Sequence, residues 1–88
     1  MNLYFISQTV NDGCDTYGSA VVAAETEEDA RNTHPGYGTD FRKQDEDPYH
    51  FAWSTGSWCD PKYVTVELIG TAVRGTKAGV VCSSFNAS

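Results

Sequence analysis

Chemistry in this chain would rest on two histidines, three cysteines and twelve carboxylates. His34 and His50 have acidic or polar neighbours but lack the one-face spacing by which a helical H-E-x-x-H pair holds zinc. No metal site is expected, and His34 reads as a histidine at the C-terminal end of a helix, where the dipole favours it. Serine, cysteine, histidine and acid are all present, yet neither a G-x-S-x-G elbow nor a glycine-rich phosphate loop accompanies them. Gly36-Tyr37-Gly38 is turn chemistry. The chain therefore reads as non-enzymatic and without a cofactor. Cys14, Cys59 and Cys82 are an odd set with no C-x-x-C spacing and no Lys or Arg within two positions, which predicts reduced, unactivated thiols. Cys82 alternates within an apolar run and is expected to be buried, while Cys14 sits in a turn.

Binding is better served than catalysis. Tyr37, Phe41, Tyr49, Phe51, Trp53, Trp58 and Tyr63 crowd the middle of the chain. Core filling accounts for some of these rings, but Trp and Tyr are also the residues most enriched at interface hot spots. Tyr37, Tyr49, Trp53 and Trp58 are the expected contact residues for a partner, with Glu28, Asp45 and Asp47 steering its approach. The formal net charge of −6 and pI near 4.5 are the wrong sign for binding nucleic acid directly and favour a partner with a basic surface. Arg31, Arg42 and Lys43 are the cations available for a second use of the same rings, stacking on a nucleotide whose phosphate they would meet.

These residues need a scaffold, and 88 residues allow one domain, 1–88, with a small core that gains from oligomerisation, so a homodimer is among the expected states. The β-formers of Leu3 to Val10 end at the turn sequence Asn11-Asp12-Gly13, and a second apolar run covers Tyr17 to Ala24. Together they predict an antiparallel hairpin. Thr26 is an N-cap followed by Glu27, Glu28 and Asp29, which complement the positive end of a helix dipole. That helix should stop by Thr33 or His34, since Pro35 disfavours helical geometry in the residue before it. Val64, Val66 and Leu68 alternate with Thr65 and Glu67 along a strand in which Gly70 marks a bulge or bend. Beyond Arg74-Gly75-Thr76-Lys77, Val80 to Phe85 completes an expected second hairpin. A short extra strand is expected near Tyr49 to Ser54, turned at Thr55-Gly56. The fold class is α+β: an antiparallel sheet of four or five strands with one short helix on one face, β-β-α-(β)-β-β.

The segment YGSAVVAAETEEDARNTHP, followed by VELIGTAV and GVVCSSFNA, resembles a group of small tailed-phage proteins built from a sheet and one helix. Asp15-Thr16-Tyr17 matches the group's lead into its second strand. The resemblance covers about half the chain and carries no catalytic signature. It implies a non-enzymatic phage protein that inhibits a host defence protein by covering a functional surface, as anti-CRISPR proteins and other anti-defence factors do. The competing expectation is an oligomeric sponge that sequesters a nucleotide immune signal. The apolar stretch Leu3 to Ile6 is too short for a signal peptide and no basic residue precedes it, and no uncharged run reaches membrane-spanning length, so the expected setting is the host cytosol, without membrane contact.

Overall fold

The structure is a computed structural model and describes residues 1–46 and 56–87. Strand β1, Asn2–Ser7, takes the β-formers Tyr4, Phe5 and Ile6, and β2, Thr16–Ala24, returns antiparallel to it. The connection between them is tied down by buried polar side chains, Gln8 foremost. Gln8 donates through Nε2 to the carbonyls of Asn11 (2.7 Å) and Tyr17 (2.9 Å), and its Oε1 accepts from the Asn11 amide at 2.8 Å. A single glutamine thus supplies the polar partners that a strand pair supplies elsewhere.

Helix α1, Glu27–Arg31, starts where the capping chemistry places it: the Thr26 hydroxyl accepts from the Asp29 amide at 3.1 Å. It ends at Asn32, whose side chain donates to the Glu28 carbonyl at 2.8 Å. Five residues cannot hold a helix alone, so α1 relies on the sheet beneath it. Its fully buried Ala30 allows close approach to a core of Tyr4, Ile6, Ala20, Val22, Trp58 and Val64. His34 lies beyond the helix and not at its end. There Thr33 bridges to Asp40, and the His34 amide donates to the Thr39 carbonyl at 2.9 Å, closing a tight loop.

The 3₁₀ turns Phe41–Glu46 and Pro61–Tyr63 lead on, the second into strand β3, Thr65–Thr71, and then β4, Gly79–Asn86. The sheet of four antiparallel strands runs β3-β1-β2-β4, giving the α+β architecture with one short helix. The expected fifth strand at 49–54 lies outside the described residues. The expected second hairpin is corrected by this order, because β3 and β4 occupy opposite edges. The local turn does form, with the Thr76 amide donating to the Val73 carbonyl at 3.1 Å and Gly75 at φ 91°. Residues 72–78 then cross the end of the sheet. One strand on each side satisfies both open edges of the apolar β1–β2 pair, which a β3–β4 hairpin on one side would leave half unpaired.

The strand register separates two faces. Tyr4, Val22 and Val80 lie in one row with the core, with Leu68 exposed at the edge of that row, whereas Glu67, Phe5, Val21 and Cys82 form a row on the other face. Val80 and Cys82 would share a face in a regular strand, but the register shifts between Val21 and Val22, and the phase flips. Cys82 is consequently exposed, contrary to the expectation of burial. Cys59 is the buried thiol, and desolvation, with a smaller contribution from Asp60, pushes its pKa up to about 11. Native labelling with a thiol reagent should modify Cys14 and Cys82 and spare Cys59 until the chain is denatured. Mass spectrometry of the labelled peptides checks this, and rapid native labelling of Cys59 would contradict it.

Candidate functional site

The pairing of β2 with β4 sets Tyr17 opposite Phe85, with ring centroids 4.7 Å apart and planes tilted by 55°. Tyr17 also meets the buried His34 edge-on at 5.8 Å, and His34 in turn stacks obliquely on Tyr37 at 4.7 Å and on Phe41 at 5.8 Å. Rings from β2, β4 and the 34–41 loop therefore form one continuous cluster. Gly36 makes the arrangement possible, since a Cβ there would lie 2.6 Å from Tyr17 Cζ.

Tyr17, Tyr37 and Phe85 wall a cavity of about 470 Å³, with Cys14, Asp15, Gly56 and Ser57 completing its described lining. Tyr37 and Phe85 are 43% and 47% exposed at its mouth. Asp15 holds a left-handed backbone, φ 58°, a region that Asp and Asn tolerate better than most residues. Its amide donates to the Asn86 carbonyl at 2.7 Å, and the Asn86 side chain donates to the Gly13 carbonyl at 3.0 Å. The turn that carries Asp15 is thus fixed to the end of β4. On the far side, the Asn11 amide group binds the carbonyls of Gly56 (3.1 Å) and Trp58 (2.8 Å), while the Tyr17 amide donates to the Ser57 carbonyl at 2.9 Å.

His34 backs the cavity in one defined tautomer. Its Nδ1 accepts from the amides of Gly36 (2.9 Å) and Tyr37 (3.1 Å), which leaves the ring proton on Nε2, facing Ser57 Oγ at 3.2 Å. A histidine that activates serine needs the opposite arrangement, with a bare Nε2 toward the hydroxyl. The geometry of this pair is one of support. No group of three or more His, Cys, Asp or Glu side chains among the described residues is arranged to hold a metal ion. No helix among the described residues is long and apolar enough to cross a membrane.

No family model, curated protein or solved structure matches the chain. Of the expected contact residues, Tyr37 stands at the cavity mouth and Glu28 is exposed on α1. Trp58 is corrected: it is fully buried in the core, because a domain this small uses its largest side chain to fill the space under the sheet. Tyr49, Trp53 and Asp47, like His50, lie outside the described residues. Asp45 falls within the 3₁₀ turn Phe41–Glu46, where its side chain is outside the description.

The cations are placed differently from the expectation of a phosphate site. Arg31 donates to the Val64 carbonyl and pairs with Glu27 at 3.2 Å. Arg42 bridges Asp29 at 2.7 Å and Asp40 at 2.9 Å, and only Lys43 is simply exposed. None of the three lines the aromatic cavity. Hydrogen bonding from Arg42, helped at Asp29 by Thr26, holds both carboxyls below their ordinary 3.8, and the two acids raise the Arg42 pKa in return. Because the folded-state values are depressed, the stabilisation is full above 3.8 and fades as pH falls through the lower folded values. In Arg42→Ala, carboxyl-carbon NMR titration should show Asp29 and Asp40 returning upward toward ordinary values. Unchanged titration would reject the bridge.

Tyr17, Phe85 and Asp15 were not distinguished by sequence reasoning. The signal that would have found them is the pairing of β2 with β4, which brings residues 17 and 85 together.

Proposed function

We propose that this chain is a non-enzymatic binding protein that inhibits a host protein by covering one of its functional surfaces, an anti-defence role of the anti-CRISPR kind. The observation that carries this reading is the preformed, partly exposed cluster of Tyr17, Tyr37 and Phe85 on an acidic protein. Rigid aromatic side chains gain contact area at little entropic cost and dominate interface energetics. Glu28, Asp45 and Asp47 would steer a basic partner, and Tyr49 and Trp53 would extend the contact surface. The phage origin and the host-cytosol setting belong to the same proposal and rest on the resemblance of residues 17–35, 66–73 and 79–87.

A nucleotide sponge is the second reading, favoured by a cavity of ligand size. Its phosphate would meet Asp15 instead of a cation, and Arg31 and Arg42 are engaged within the fold. Capture from a host lysate at low and moderate salt, comparing the native chain with Tyr37→Ala, separates the two. One protein retained by the native chain, lost by the folded variant and inhibited in its own assay supports the proposal. No retained protein, together with a nucleotide released from the denatured chain, replaces it with the sponge.

A further inference from the structure

The cavity has a chemical preference. Three aromatic side chains line it; the face of such a ring carries a negative quadrupole that attracts cations, and a cation held there also gains from a nearby carboxylate. Asp15, a lining residue, is the acid at hand, and no Lys or Arg is among the described lining residues. Phosphate and carboxylate ligands would be repelled by Asp15 and by the net charge of −6. A neutral apolar group would satisfy the rings but desolvate the acid without compensation. The occupant that answers every wall is a positive head on an apolar stem.

We propose that the Tyr17–Tyr37–Phe85 cavity receives a lysine or arginine side chain of the protein partner, its stem against the rings and its charge at Asp15. The inference rests on the binding-protein reading and names the partner group that this site takes. It makes the acidic character of the chain local and specific: distant carboxylates steer the encounter, whereas Asp15 and the three rings select one residue on arrival. The site is preorganised, because Asp15 is tied to Asn86, Tyr17 leans on Gly36, and Tyr37 is stacked on His34. Little ordering entropy remains to be lost on binding.

The test needs no partner. Side-chain analogues, N-acetyl-lysine methylamide and N-acetyl-arginine methylamide, are titrated into the isotope-labelled chain while the aromatic resonances are followed by NMR. The expected result is saturable shifts of Tyr17, Tyr37 and Phe85, absent with the norleucine and glutamate analogues. Asp15→Asn removes the charge and keeps a residue that tolerates positive φ; it should weaken the lysine analogue by about fivefold. Tyr37→Ala should abolish the response while amide dispersion shows an intact fold. Equal shifts with the norleucine analogue, an unchanged affinity in Asp15→Asn, or saturation of the same rings by adenosine monophosphate would overturn the proposal. If the analogues fail while a protein partner is still captured, the cation site is rejected and the binding reading survives. Saturation by the analogues with no partner captured would reject the binding reading and keep the cation site.

Discussion

Trp58→Ala should lower folding stability by about 3–5 kcal/mol, the usual cost of truncating a large buried aromatic. Trp58 is fully buried, and it packs with Tyr4, Ile6, Val22, Ala30 and Val64 between the sheet and α1. Whole domains of this size are stable by roughly 5–10 kcal/mol, so the variant would retain little margin and would populate unfolded molecules at moderate temperature. The loss also reaches the cavity. Asn11 holds the carbonyls of Gly56 and Trp58, and Ser57 holds the amide of Tyr17, so loosening residue 58 loosens the strap that lines the site. Trp58→Phe should be milder, at about 1–2 kcal/mol, because it keeps most of the ring and deletes an indole Nε1 that has no hydrogen-bond partner among the described residues. Urea denaturation followed by far-ultraviolet circular dichroism measures both. A midpoint for Trp58→Ala within experimental error of the native one would contradict the assignment of Trp58 to the core.

That assignment marks the limit of what a linear reading reveals. Helix α1 was legible because capping is local: Thr26 and the three acids after it act on amides one turn away. The β1–β2 hairpin was legible for a similar reason, an apolar run, a turn sequence and a second apolar run. Pairing at longer range was not legible. The turn at residues 73–76 predicts a reversal of the chain, and a reversal occurs, but which strand β4 joins is decided by the open edge of β2 more than fifty residues earlier. The same decision places Phe85 beside Tyr17 and so creates the cavity. Trp58, Tyr37 and Phe85 are similar as side chains, and only the layers above and below them separate core from rim. Cys82 adds a subtler case, since one irregular step in the ladder reverses the face that alternation assigns to it. The cations went astray for an electrostatic reason: in a chain with twice as many acids as bases, Arg31 and Arg42 find carboxylates within the fold.

His34→Ala should cost about 2–4 kcal/mol and disturb the cavity more than its remaining stability would indicate. The substitution removes a fully buried ring from among Tyr17, Tyr37 and Phe41, and it takes away the acceptor shared by the amides of Gly36 and Tyr37. Gly36 and Tyr37 are themselves exposed, so water can reach part of the deficit, which keeps the figure below that of two wholly buried orphan amides. The two contributions can be separated by a second variant. In His34→Asn the side-chain oxygen sits near the former Nδ1 and can still accept from the loop amides, while the ring contacts and the approach to Ser57 are lost. Asparagine should therefore recover about 1 kcal/mol over alanine and keep the 34–38 loop ordered. Urea midpoints give the energies, and amide hydrogen exchange at Gly36 and Tyr37 reads the loop directly. Slow exchange in the native chain, intermediate exchange in His34→Asn and fast exchange in His34→Ala is the expected order. If both variants exchange and unfold alike, His34 acts through its ring packing, and the acceptor role argued for Nδ1 is wrong.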